Sequence, residues 1–148
     1  MDMSAVKTHP ISKLVEYRKS DFQIEELLGQ GGHGAVHRAR ELSTGRPVAL
    51  KIILSANPSK NVLSLFKGEA RRMEALGSHP HIVQLLGTAE GCTVLAMEVA
   101  EGDLYKYVKR NPNIDLDLVR RWATHVLEAV AYIHEMGCCH QDLKSENV

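Results

Sequence analysis

The 148-residue chain has no charge of one sign to spare, since 18 Lys and Arg stand against 18 Asp and Glu. No global field draws it to nucleic acid or to an anionic membrane, so any polyanion it binds must be met by local geometry. Cysteine is scarce: Cys92 and the adjacent Cys138 and Cys139 are the three present. Lacking a Cys-x-x-Cys spacing, they make a poor disulfide framework, and a reducing compartment, cytoplasmic or nuclear, is expected. The eight histidines are scattered, and His79 with His81 falls in a turn without partners at zinc-like spacing, which argues against a structural metal site. Long apolar runs are missing too. None approaches the roughly 20 residues of a membrane helix, and Lys7, Lys13, Arg18 and Lys19 interrupt the first twenty, so neither secretion nor membrane spanning is expected. No internal repeat or low-complexity stretch occurs. What is present is a 44% hydrophobic content, enough for one ordinary globular domain.

Residues 1 to 20 keep neither a helical nor a strand period and contain Pro10; they read as a mobile leader, with room for one short helix around Ile11 to Tyr17. Structure is expected from Phe22. Apolar residues from Phe22 to Leu28 and the alternating Ala35 to Arg40 flank a glycine-rich turn, which predicts a hairpin. Pro47 to Leu54 reads as a third, well-buried strand after the turn Ser43-Thr44-Gly45-Arg46, and Asn57 to Lys60 as a loop. Val62, Leu65, Phe66, Met73 and Leu76 recur at helical intervals, and Gly77-Ser78-His79-Pro80 stops that helix. Two more strands are expected at Ile82 to Leu86 and Thr93 to Met97. Beyond Gly102 the pattern turns helical, with a short helix at Leu104 to Lys109 and a long one from Leu116 to Met136, capped by Asp115 or Asp117. Leu118, Trp122, Val126, Ala129, Val130 and Ile133 form its apolar stripe, and Gly137 ends it. The expected class is α+β: a five-stranded lobe with one helix, about residues 21 to 100, then a helical segment from about 101 to 148.

Three stretches carry chemistry. Gly29-Gln30-Gly31-Gly32-His33-Gly34-Ala35-Val36 fits Gly-x-Gly-x-x-Gly-x-Val, in which backbone amides can approach phosphate oxygens without side chains intervening. A dinucleotide fold would follow the glycines with a helix, and a Walker loop would need Gly-Lys-Ser or Gly-Lys-Thr; here a strand follows and that lysine is missing. A purely structural glycine hairpin is the bland alternative. Val48-Ala49-Leu50-Lys51 puts a lysine on an otherwise apolar strand, where it needs an anion unless it reaches solvent from an edge. His140-Gln141-Asp142-Leu143-Lys144-Ser145-Glu146-Asn147 is the third.

Taken in order, these stretches resemble the protein kinase family, whose signatures are the glycine loop, Val-Ala-Ile-Lys, a helix glutamate, His-Pro-x-Ile-Val and His-Arg-Asp-Leu-Lys-x-x-Asn. The resemblance spans residues 22 to 148. It implies a partial kinase domain that binds ATP and Mg2+ and transfers the γ-phosphoryl group to a protein Ser or Thr hydroxyl. By the same resemblance Gly29, Gln30, Gly31, Gly32, His33 and Gly34 cover the phosphates, and Val36 and Ala49 cover the base. Met97 takes the gatekeeper place, while Glu98 and Ala100 belong to the hinge that meets adenine. Lys51 orients the phosphates. Its partner is Glu69 rather than Glu74, because Glu69 with Met73, Leu76 and His79-Pro80 follows the kinase register. Gly68 beside it costs the helix about 1 kcal/mol relative to Ala. Asp142 is the base for the acceptor hydroxyl, Lys144 offsets charge on the moving group, and Asn147 holds metal. Lys144 stands where tyrosine kinases usually place Ala or Arg, so the serine/threonine type is implied.

Two departures from the pattern matter. Gln141 replaces the family's arginine, and a neutral amide cannot make the charge-assisted bond to an activation-loop phosphate. The family's Asp-Phe-Gly metal site would lie beyond Val148, so the expectation is a truncated domain, inactive alone. The alternative is a catalytically silent, kinase-like nucleotide-binding or interaction module. Nothing in the pattern fixes an oligomeric state.

Overall fold

The protein is described by a computed structural model over residues 14–148. It divides into two units: one runs to Gly77 and takes in Gln84–Glu98, and the other comprises Ser78–Val83 and Val99–Val148.

The first unit is a six-stranded sheet with one helix. Its strands are β1 (Val15–Tyr17), β2 (Phe22–Gln30), β3 (Gly34–Glu41), β4 (Pro47–Ile53), β5 (Leu85–Ala89) and β6 (Val94–Met97), in the order β1-β5-β6-β4-β3-β2. The α+β class and all five expected strands are present, and β1 is an addition. Alternation along β4 explains the register. Val48 and Leu50 are fully buried and join Val94 and Ala96 of β6 in a core that also holds Phe22, Ala39 and Ala89. Ala49 and Lys51 point to the other face, opposite Met97 and Leu95. A slip of one residue would drive Lys51 into that apolar core, so the pairing is strongly specified. Helix α1 (Lys60–Leu76) begins two residues earlier than its apolar period, because Ser59, expected to belong to a loop, caps it by accepting the Val62 N–H at 3.3 Å. The strand expected from Ile82 begins only at Leu85, since His79–Ile82 closes a turn in which the Ile82 N–H donates to the His79 carbonyl at 3.2 Å.

The expected helix around Ile11 to Tyr17 is corrected where it can be seen: residues 11–13 lie outside the described residues, and Val15–Tyr17 is a strand rather than leader or helix. It pairs in parallel with β5, Val15 opposite Gly87 and Tyr17 opposite Ala89. Gly87 makes this possible, because a Cβ there would collide with the Val15 carbonyl oxygen and sit 2.7 Å from the Tyr17 ring. Tyr17 leans on Phe22 with ring centroids 4.9 Å apart, and its hydroxyl bonds Glu41 and accepts from Arg46 Nη2 at 3.4 Å. Glu41 is only 5% exposed and also accepts from the Thr44 hydroxyl at 2.6 Å and pairs with Arg46 at 3.2 Å. The Thr44 hydrogen bond, aided by Tyr17 and Arg46, outweighs burial and holds the Glu41 carboxyl below its ordinary value. Burial, then the bond to Glu41, pushes the Tyr17 phenol up. One short 3-10 turn, Lys19–Asp21, carries the chain from β1 to β2, fastened by the Arg18 N–H on the Asp21 carboxylate at 2.8 Å.

In the second unit, α2 (Leu104–Arg110) is capped by Asp103 and α3 (Leu116–Glu135) by Asp115, whose carboxylate accepts the Asp117 N–H at 3.1 Å. Ala129 and Ile133 of the expected stripe are buried, and Trp122 meets Tyr107 of α2 edge-on at 5.2 Å. Gly137, at φ 73°, ends α3 with its N–H on the His134 carbonyl and the Cys138 N–H on that of Ile133. Among the described residues no helix is long and apolar enough to cross a membrane.

Candidate active site

The glycine-rich turn joins β2 to β3, and the Gly31 N–H closes it on the Gly34 carbonyl at 2.8 Å. Its glycines differ in what they do. A Cβ at Gly34 would lie 2.8 Å from Phe66 of α1 and 3.1 Å from the Ile52 carbonyl, so internal packing demands that glycine. At Gly29 and Gly32 a Cβ would meet nothing within 4 Å, and at Gly31 only the Gly34 carbonyl at 4.0 Å. None of these three has positive φ, so neither strain nor crowding within the chain accounts for them. Bare backbone facing open space suits the close approach of an external group. Gln30 pairs with Ala35 at the end of β2, and exposed His33 accepts the Leu54 N–H on its carbonyl at 3.3 Å.

Lys51 extends from β4 to α1, where its Nζ meets both carboxylate oxygens of Glu69 at 2.7 and 2.6 Å. Of the two helix glutamates weighed, Glu69 makes this contact despite Gly68 beside it. The pair is held in place by Phe66, whose ring centroid lies 5.4 Å from Nζ. Sequence reasoning placed Phe66 on the helix's apolar period but missed this second role; its position three residues before Glu69, on the same helix face, was the available signal. With side chains 29% and 31% exposed, neither group is sealed from water, so the pair stays open to a further ligand. Val36 lies opposite Lys51 on the same sheet face, and Ala49 lies between Arg38 and Met97. Met97 is 9% exposed, and the next residue, Glu98, exchanges bonds with Gln84: its N–H donates to the Gln84 carbonyl at 3.0 Å, and its carboxylate accepts the Gln84 N–H at 3.1 Å.

In the second unit, Ala100 is exposed, and the loop after α3 gathers Asp142, Lys144 and Asn147. Lys144 Nζ lies 3.1 Å from Asp142 Oδ2, and Asn147 Nδ2 donates to the same oxygen at 3.0 Å and to the Asp142 carbonyl at 2.8 Å. These bonds, that of Lys144 first, hold the Asp142 carboxyl below its ordinary value and keep it ionised at neutral pH. His140 Nδ1 accepts the Asp142 N–H at 3.3 Å, which fixes the loop from its other side. Gln141 between them has φ 64°, a left-handed conformation that a side-chain-bearing residue adopts at some cost. Sequence reading weighed the lost charge at this position and missed its backbone.

Residues 22–148 match the protein kinase domain. The chain belongs to the protein kinase family. Among curated relatives, it is 37% identical to serine/threonine-protein kinase RAD53 of Saccharomyces cerevisiae over 86% of the chain. It is 34% identical to NUAK family SNF1-like kinase 2 of Rattus norvegicus over its whole length, and 34% identical to serine/threonine-protein kinase pkn3 of Myxococcus xanthus over 93%. By family it is thus a protein kinase domain, and two of these relatives carry serine/threonine kinase names. The kinase domain described here spans between 16% and 25% of the length of those three relatives.

Proposed function

We propose that this domain serves a kinase that moves the γ-phosphoryl group of Mg-ATP to a Ser or Thr hydroxyl of a protein. The observation that carries the reading is the two-oxygen grip of Glu69 on Lys51, which fixes a strand ammonium where a phosphate can share it. The donor set fits the nucleotide and its metal. Bare backbone at Gly29, Gly31 and Gly32 lets phosphate oxygens come close, and carboxylate and amide oxygens are the hard ligands magnesium takes. Bound magnesium neutralises charge on those phosphates.

Each residue then has a task. The main chain of Gly29 to Gly34, with Gln30 and His33, covers the phosphates, and Lys51 orients them. Val36, Ala49 and Met97 supply apolar contacts for the base, and the main chain at Glu98 and Ala100 recognises its edge. Asn147, whose Nδ2 is occupied by Asp142, offers Oδ1 to the metal. The acceptor oxygen bonds to the γ-phosphorus as the bond to ADP breaks, and the hydroxyl proton passes to the Asp142 carboxylate. Lys144 offsets charge on the transferred group.

Two measurements test this. Mg-ATP binding by calorimetry should weaken tenfold or more in Lys51→Met, by about the 1.4 kcal/mol that a tenfold change represents. In a full-length version of the kinase, Asp142→Ala should keep binding while steady-state transfer falls by about 10² or more. Wild-type binding in the first variant, or wild-type turnover in the second, refutes the corresponding assignment.

A further inference from the structure

Helix α1 buries Phe66 and Ala70 in the first unit and shows its other side to water. On that side Asn61, Ser64, Leu65, Gly68 and Arg72 line a shallow groove of about 490 Å³. Leu65, 54% exposed, gives the groove an uncovered apolar wall. Gly68 gives it a bare floor, although glycine is among the poorest residues for a helix interior. Nothing inside the chain asks for it: its φ is not positive, and a Cβ would meet only the end of the flexible Arg72 side chain, at 3.3 Å. The charges around the groove are nearly all of one sign. Lys60, Lys67 and Arg71 recur at helical spacing along one edge, and Arg72 lies in the lining. All four are exposed and make no ion pair among the described residues, whereas Arg38, Arg40, Arg46 and Lys51 of the same unit each meet a carboxylate. Of the helix's own acids Glu69 is held by Lys51, which leaves Glu74 alone against four cations. A chain without net charge thus carries a positive face here.

We propose that this face of α1 docks an acidic protein segment, which sets an apolar side chain between Leu65 and Gly68 and its carboxylates against Lys60, Lys67, Arg71 and Arg72. Charge complementarity selects the sign of the partner: cations with no carboxylate of their own steer an acidic segment in and fix its register. The apolar contact supplies the anchor. Bare backbone at Gly68 lets that anchor sit closer to the helix than a side chain there would permit. Leu65 favours a protein over a nucleic acid, whose affinity comes from its phosphates and gains nothing from an apolar wall. Residues 1–13 of the chain itself have the wrong charge for this seat, since they carry Lys7 and Lys13 against Asp2.

The test titrates the 148-residue chain, observed by amide NMR, with a short glutamate peptide carrying a central pair of leucines. The largest shifts should fall at Leu65, Gly68 and Arg72, and binding should weaken as salt is raised. Replacing the peptide's leucines by glycine should cost about tenfold in affinity or more. Lys67→Glu combined with Arg71→Glu should cost about as much, tenfold or more. Gly68→Ala separates docking from folding: it should raise the urea midpoint, because alanine is the better helix residue, yet weaken the peptide by about threefold or more. An absence of shifts on α1, equal binding of the leucine and glycine peptides, or wild-type binding by either variant would overturn the proposal. So would inorganic polyphosphate or phosphatidylserine vesicles that shift the same amides more strongly than the peptide, which would make the occupant a phosphate-bearing polyanion instead.

Discussion

Replacing Gly87 by Ala should undock β1. The added methyl would collide with the Val15 carbonyl oxygen and press on the Tyr17 ring from 2.7 Å, and β5 cannot retreat without disturbing its ladder to β6. The cheaper response is for β1 to leave. Its three ladder positions contribute about 1 kcal/mol per bond. Tyr17 forfeits a half-buried ring, about 2 kcal/mol, and a hydroxyl bond to a buried carboxylate, about 1.5 to 3 kcal/mol. The freed residues recover about 1 to 2 kcal/mol each in backbone entropy. The net loss is about 2 kcal/mol, roughly 5 °C in a melt. Urea unfolding and amide exchange at Thr88 and Ala89 measure it. A chain beginning at Arg18 supplies the control, since without β1 the same substitution should be neutral or slightly stabilising, as Ala is the better strand residue. An equal cost in both backgrounds, or none in either, would refute the steric account.

Four further outcomes follow from the geometry. Gly34→Ala should cost about 1 to 3 kcal/mol, because Phe66 and the Ile52 carbonyl crowd the new methyl; Gly31→Ala should leave the urea midpoint unchanged yet weaken Mg-ATP binding. Glu41, its folded pKa depressed, contributes stability that is fully present above the ordinary value of 4.5 and lost as pH falls through the folded value. Thr44→Val should flatten that acid slope in unfolding curves between about pH 3 and 6. Lys144→Met should let the Asp142 carboxyl rise toward 3.8, read by carboxyl-carbon NMR titration; an unmoved Asp142 would remove Lys144 as the first cause of its depression.

Where the chain repeats a period, sequence and structure agree. Val48, Leu50 and Ile52 alternate with Ala49 and Lys51, and the strand, its faces and the lysine's direction follow. Asp115 and Gly137 bound α3 through chemistry visible in the residue types themselves. Legibility fails where a structure depends on a distant partner. Val15–Tyr17 is too short for a period to register, and what makes it a strand is the missing side chain at Gly87, seventy-two residues beyond Val15. The loop after α3 is intermediate: Asp142, Lys144 and Asn147 can be picked out by type and spacing, whereas the bonds from Asn147 to Asp142 and the left-handed turn at Gln141 arise only once the loop has closed.

The strand order has a geometric corollary. β1 and β2 are neighbours in sequence yet stand at opposite ends of a six-stranded row, five strand spacings apart. Laid flat, that row would separate them by about 24 Å. The five steps from Tyr17 to Phe22 reach at most about 18 Å even fully extended, and a 3-10 turn takes up part of that length. The sheet must therefore roll until its ends nearly meet, as the 4.9 Å contact between Tyr17 and Phe22 records. The first unit is thus close to a barrel, with the Lys19–Asp21 turn as its hoop. Cutting that hoop should loosen the whole circumference, including the wall from which Lys51 projects.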